Sequence, residues 1–203
     1  MTPAGRSLRI IPKVPLPESL MKKWSVLVLA LLLSACGYNS IQTMDESAAA
    51  AKQQIEVQLQ RRADLIPNLV ETVKGYAAQE TAIFTAVAEA RAGLAGAVKG
   101  GDVAQMADAN AAMTGALGRL LAISENYPQL KSDQNFLRLQ DELAGTENRI
   151  AVARTDYNNA VKDYNAYIRR FPAVLTAKVT GAKAWAYFEV TNPASREAPA
   201  VKF

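Results

Sequence analysis

The chain carries one cysteine and no histidine, and these two counts restrict its chemistry most. Without imidazole there is no Ser-His or Cys-His nucleophile pair, no histidine general base and no imidazole metal ligand. With a single thiol, no disulfide or multi-thiolate metal site can form within the chain. Neither a metal nor a bound cofactor is expected. The phosphate-cradling patterns G-x-x-x-x-G-K-[ST] and G-x-G-x-x-G and the nucleophile elbow G-x-S-x-G do not occur. Asp and Glu alone could still do acid–base work. The enzymatic alternative is therefore a hydrolase or lyase acting on envelope glycans, with paired carboxylates about 5–9.5 Å apart in a concave site.

The thiol has a chemistry of its own. Lys22 and Lys23 precede an apolar run from Trp24 to Ala35. A bilayer-spanning helix needs roughly 20 apolar residues, so this run matches the core of a secretory signal instead. Leu33, Ser34, Ala35 and Cys36 then resemble a bacterial lipobox, in which the thiol is acylated and the chain is cut before the cysteine. The only cofactor-like group expected is covalent lipid at Cys36. One chain holds reversibly at about 0.8 kcal/mol per buried CH₂, and two or three chains hold for good. Residues 1–35 read as a signal peptide, with 1–20 as a mis-assigned start before Met21. Residues 36–42 read as a lipidated tether. Gly37, where an Asp would favour the inner membrane, leans towards the outer membrane of a diderm cell, with the protein facing away from the cytoplasm.

Cleavage changes the charge. Arg6, Arg9, Lys13, Lys22, Lys23 and Glu18 lie in the leader, so 18 basic and 18 acidic residues remain. The sequence pI near 9.2 belongs mostly to the discarded segment and gives no argument for a nucleic-acid partner.

Helical elements must position whatever acts in the rest. Thr43 to Glu46 fits a capping box. Ile41, Met44, Ala48, Ala51, Ile55, Leu59, Arg62, Leu65, Leu69 and Val73 then recur at steps of three and four, and the stripe continues through Ile83, Val87, Ala90 and Leu94. Such spacing is a bundle seam. Pro67 removes one ladder bond, so a kink or break is expected there. Asp102 opens a further helix along Val103, Met106, Asn110, Met113, Leu117 and Leu120, which Pro128 closes. Asp133 caps the last, from Phe136 through Leu143, Ile150, Tyr157 and Tyr164 to Phe171. Residues 172–180 fit a short helix, Trp185 and Phe188 fit docking on the bundle, and 191–203 fit a flexible tail. The fold expected over 43–190 is all-α. It is an antiparallel bundle of three to four long helices on two arms, 43–99 and 133–171, with 102–127 between them and a short C-terminal extension.

Two polar sets stand out on these seams. Arg62 occupies an apolar position near Asp64, Pro67 and Asn68, and Pro67 frees the carbonyl of Ala63 for Asn68 or Arg62. Tyr157, Asn158, Tyr164 and Asn165 repeat at seven residues. Each set reads as structural or partner-binding, with Tyr157 and Asn158 as candidate cross-partners of Arg62.

Gln58-Leu59-Gln60-Arg61-Arg62-Ala63-Asp64-Leu65-Ile66-Pro67-Asn68-Leu69-Val70 closely resembles the signature of the LemA family. Glu80 and Ala88-Glu89-Ala90-Arg91 match its continuation. Tyr157 to Asn165, Arg169-Arg170-Phe171-Pro172 and Ala186-Tyr187-Phe188 match later blocks. The likeness runs from about Gly37 to Phe188. It implies a bacterial, membrane-tethered helical bundle without established enzymatic activity, often encoded beside TPM-domain membrane proteins. Ala63 stands where many relatives have His, and a lipobox replaces the uncleaved transmembrane helix common among them. The function expected is a non-catalytic, lipid-anchored protein binding or scaffolding envelope proteins, TPM-domain proteins being candidates. A peptidoglycan- or lipid-binding module is the other alternative. A homo-oligomer is a further expectation.

Overall fold

The computed structural model describes residues 18–190, with side chains at 23–24 and from 37 onward. The beginning of the expected leader (1–17), the expected tail (191–203) and the side chains of Leu33, Ser34, Ala35 and Cys36 lie outside the described residues. Among the described residues there are six α-helices and no strand. They are α1 (Glu18–Lys74), α2 (Thr81–Gly100), α3 (Val103–Ile123), α4 (Pro128–Lys131), α5 (Gln134–Tyr167) and α6 (Ala173–Thr180). Four are long, and the all-α bundle expected from the seams is the fold observed.

α1 is the spine. It runs without interruption from before the apolar run into the body, so residues 37–42, expected as a short tether, are helical. Ile41 is already part of the core. The expected capping box does not form. Thr43 lies inside the helix, where its hydroxyl donates to the Asn39 carbonyl at 2.9 Å, and the amides a cap would serve are already in the ladder.

α1 also remains helical through Pro67. The reversal comes at Gly75, where the amides of Tyr76 and Ala77 both donate to the Val73 carbonyl. The first arm is thus two antiparallel helices, not one. α3 turns back again through Gly101, whose φ of 70° closes α2 with a left-handed cap. Glycine takes that conformation without a Cβ penalty. Asp102 caps α3 by accepting from the Gln105 amide at 2.9 Å. α3 gives way to a 3₁₀ turn (Ser124–Asn126), and Pro128 opens α4 instead of closing α3. A first helical position suits proline because its missing N–H has no intrahelical partner.

Asp133 caps α5 as expected, accepting from the Phe136 amide at 2.9 Å. This bond is the main reason its carboxyl lies below the usual range. α5 packs along α1 in the opposite direction. Tyr76 donates to Asp133 at the far end, and Ile41 clusters with Tyr164 and Ile168 at the other. The stripe Phe136, Leu139, Leu143, Ile150, Tyr157, Val161 and Tyr164 is buried throughout. Phe171 is not: it lies beyond the end of α5, in the turn before α6, and is 80% exposed.

α2 is long and apolar enough by composition to cross a membrane. Its Phe84, Val87, Leu94 and Ala97 are nevertheless buried in the bundle core.

The α1–α5 seam carries the body, so truncations there should be costly. Leu143→Ala and Ile150→Ala should each lose about 2–5 kcal/mol in denaturant titrations. Lys162→Ala, on the exposed face, should stay within about 0.5 kcal/mol. The reverse ranking would displace the seam.

Candidate functional site

Arg62 sits where the seam calls for an apolar side chain and is 4% exposed. A buried guanidinium needs acceptors. Its Nη1 donates to Asn110 Oδ1 at 2.7 Å and lies 2.5 Å from Glu147 Oε2. α1 therefore meets α3 and α5 at one atom. Burial lowers the Arg62 pKa from its ordinary value, and the Glu147 carboxylate opposes that shift. The Glu147 contact is short in distance but off the angle of a hydrogen bond, so it acts as an ion pair. Arg62 Nε and Gln58 Oε1, one turn apart, are buried without a hydrogen-bond partner.

This corrects the partners expected from sequence. Asp64 is exposed and accepts from Gln60 Nε2 at 2.9 Å. Asn68 is exposed, and its carbonyl accepts from Thr72. Tyr157 and Asn158 bind elsewhere. The local rule that pointed to Asp64 was proximity in sequence, but residues two apart on a helix do not face one another. Asn110 had a usable signal as the one amide in the stripe of α3. Glu147 had none, being one acid on a face of mixed charges.

Pro67 does free the Ala63 carbonyl, but neither Asn68 nor Arg62 takes it. Arg91 of α2 donates its Nε to that oxygen at 2.9 Å. A donor from another helix replaces the missing amide, which is why α1 persists through the proline.

The second set is brought together, and its ligand is the chain itself. After α6, Gly181 (φ 71°) turns the chain back along α5. Asn165 Oδ1 accepts from the Trp185 amide at 3.0 Å, and its Nδ2 donates to the Trp185 carbonyl at 2.9 Å. Asn158 does the same for Phe188, at 2.9 and 3.4 Å. Tyr157 donates to the Ala186 carbonyl at 2.7 Å. Two carboxamides thus stand in for a neighbouring strand and satisfy an extended segment that has no sheet. Phe188 is buried beneath it. Trp185 Nε1 donates to Asp45 Oδ1 at 2.8 Å, tying the segment to α1. Burial raises the Tyr164 pKa, and the nearby Asp45 carboxylate adds to the shift.

Two clefts remain. One of about 460 Å³ lies between α1 and α5, lined by Gln54, Gln58, Arg149, Val152 and Asp156 among others. The other, about 500 Å³, is lined by Asp45, Lys52, Asp102, Tyr157, Tyr164 and Trp185 among others. Its two carboxylates are committed, Asp45 to Trp185 and Asp102 to the α3 cap. No group of His, Cys, Asp and Glu among the described residues is placed to hold a metal ion.

Removing either arginine should leave an acceptor unmet. Arg62→Ala and Arg91→Ala should each destabilise by about 1–3 kcal/mol. Asp64→Ala should not, and a chemical-denaturation series on the three separates interhelical from local pairing. Burial pushes the Tyr157 hydroxyl up to about 12, so the folded state keeps its proton where the unfolded chain, near 10, has lost it. The stability supplied by Tyr157 is whole below pH 10 and lost as pH climbs towards 12. Tyr157→Phe should be less stable than wild type at pH 8, and the gap should narrow across that window.

The family model described as LemA family matches residues 51–203. Magnetosome proteins MamQ 2 and MamQ 1 of Paramagnetospirillum magneticum are each 32% identical to the chain over 175 residues, covering 75% of it and 64% of their own length. Magnetosome protein MamQ of Magnetospirillum gryphiswaldense is 32% identical over 197 residues, covering 85% of the chain and 72% of its own. The chain spans just under two thirds of the length of the first two.

Proposed function

The chain belongs to the LemA family, and from that premise we propose that it is a non-catalytic, lipid-anchored helical protein of the bacterial cell envelope. It binds and scaffolds other envelope proteins from the side of the membrane facing away from the cytoplasm, on the outer membrane in a diderm cell. The observation that supports this reading is that α1 is already helical at residue 37, directly after Cys36, and runs from there into the body. Gly37 is buried, and a Cβ built on it would lie 3.4 Å from Thr176 Oγ1 of α6. A lipid on Cys36 would therefore hold a packed body directly at the bilayer surface, with no slack tether between them.

The polar side chains singled out on the seams support binding over catalysis. Arg62, Asn158, Asn165 and Tyr157 are spent on internal partners. What the body offers outwards is helix surface and open clefts, which suits protein–protein contact. Relatives named as magnetosome proteins support association with a cellular structure. Partners among TPM-domain membrane proteins follow from the family resemblance and belong to the same proposal.

Metabolic labelling with an acyl analogue tests the anchor: wild type should be labelled and Cys36→Ser should not. Equal labelling of the two would sink it. Crosslinking in the native membrane, read by mass spectrometry, tests scaffolding. Recovery of this chain joined only to itself would replace it with self-association.

A further inference from the structure

The seams, the Asn158–Asn165 contacts and the clefts leave a surface on α6 unexplained. Phe171, Leu175 and Val179 stand at four-residue intervals across the turn before α6 and along α6, and they are 80%, 56% and 89% exposed. Leu175 and Val179, four apart, share one side of α6, and Phe171 lies in the turn just before it. The opposite side of α6 is buried, through Ala173 and Ala177. Large apolar residues grouped on a surface signal something that covers them.

Two independent features indicate what that is. The first is position. α6 packs on the start of the body, where its Ala173 and Thr176 adjoin Gly37, the residue after Cys36. The second is charge. From Tyr164 to Phe188 the sequence contains Arg169, Arg170, Lys178 and Lys183 and no Asp or Glu. The rest of the chain from residue 36 onward carries 14 basic and 18 acidic residues. All four cations are exposed, and Arg169, Arg170 and Lys178 flank the apolar side chains in sequence. The one acidic side chain bonded to this segment, Asp45, accepts from the Trp185 indole. Apolar residues bordered by cations are how an amphipathic element lies in a headgroup layer. Anionic lipids attract such cations within about a Debye length, roughly 8–10 Å at ordinary salt.

We propose that α6 and the turn before it form a second, non-covalent membrane contact. Phe171, Leu175 and Val179 enter the headgroup boundary, and Arg169, Arg170 and Lys178 meet the phosphates of anionic lipids. The inference rests on the membrane-anchored reading above, because it takes the bilayer at residue 36 as the occupant. Its consequence is orientation. A single attachment at Cys36 lets the body swing, whereas a second beside it fixes the tilt of α1 and α5 and the face they offer to partners. The snorkelling of Arg and Lys stems lets the charges stay at the phosphates while the apolar groups go deeper.

The test uses the full chain reconstituted in vesicles of phosphatidylcholine with and without phosphatidylglycerol, carrying a photoactivatable phospholipid. Crosslinked residues are mapped by mass spectrometry after vesicle flotation. Exposed Val152 on α5 is the internal control. The expected result is crosslinking at 171–179 above Val152, stronger with phosphatidylglycerol. In the variant Phe171→Asp/Leu175→Asp/Val179→Asp it should fall to the Val152 level while the chain still floats and keeps its melting temperature. A wild-type chain that floats but crosslinks at 171–179 no more than at Val152 overturns this inference and leaves the anchor standing. A chain that does not float overturns both.

Discussion

Two consecutive residues of α1 must be answered by every other long helix. Arg62 puts a permanent charge into an apolar seam, and Ala63 presents a carbonyl that Pro67 has deprived of its amide. Asn110 of α3 and Glu147 of α5 meet the first, and Arg91 of α2 meets the second. Leaving such groups unmet costs about 1–3 kcal/mol each, more for a buried charge. Sliding any of the three helices by one turn, about 5.4 Å, would remove its contribution. The apolar stripes can accept several registers with similar burial, since Leu and Ala repeat along them. The polar contacts cannot, and they set α2, α3 and α5 against one level of α1.

The other end of the body is held by a different device. Asn158 and Asn165 face the same way because seven residues are close to two helical turns. Their spacing matches that of Trp185 and Phe188 on an extended segment running back along α5. Each carboxamide supplies one donor and one acceptor, as a neighbouring strand would. The segment gains order without a sheet, and through the Trp185–Asp45 bond it closes the gap between α5 and α1. The chain thus returns to the end of the body where Gly37 meets α6.

This arrangement engages the interior polar groups named above, Arg62 Nε and Gln58 Oε1 excepted, and places the basic, partly apolar surface of α6 at the end nearest residue 36. In the anchored arrangement proposed here, that end faces the bilayer and the Arg62 level lies further along α1. Rigidity is what such a body contributes. Four long helices locked in register present a fixed outline to partners, which a loosely tethered chain would not.

The sequence by itself determined that the protein is helical, which face of α1, α3 and α5 is buried, though not that Ala63 and Ile66 are buried while Leu65 is only half so, and where two helices begin. Hydrophobic spacing reports burial along one helix directly, and Asp102 and Asp133 act on amides only three residues away, so these features are local. It also placed Arg62 on the seam and grouped Tyr157, Asn158, Tyr164 and Asn165. It could not say what they hold. The reversal at Gly75 was hidden because the stripe keeps its phase across the turn, so one bent arm and two antiparallel helices read alike. Pro67 was expected to disturb α1 because the local rule counts only the lost amide, and Arg91 belongs to another helix. Asn110 and Glu147 lie 48 and 85 residues from Arg62 in sequence, and only the packing of α3 and α5 on α1 brings them to it. Tertiary structure decided the partners because a hydrogen bond depends on distance in space, and no local spacing encodes which distant helix supplies the donor.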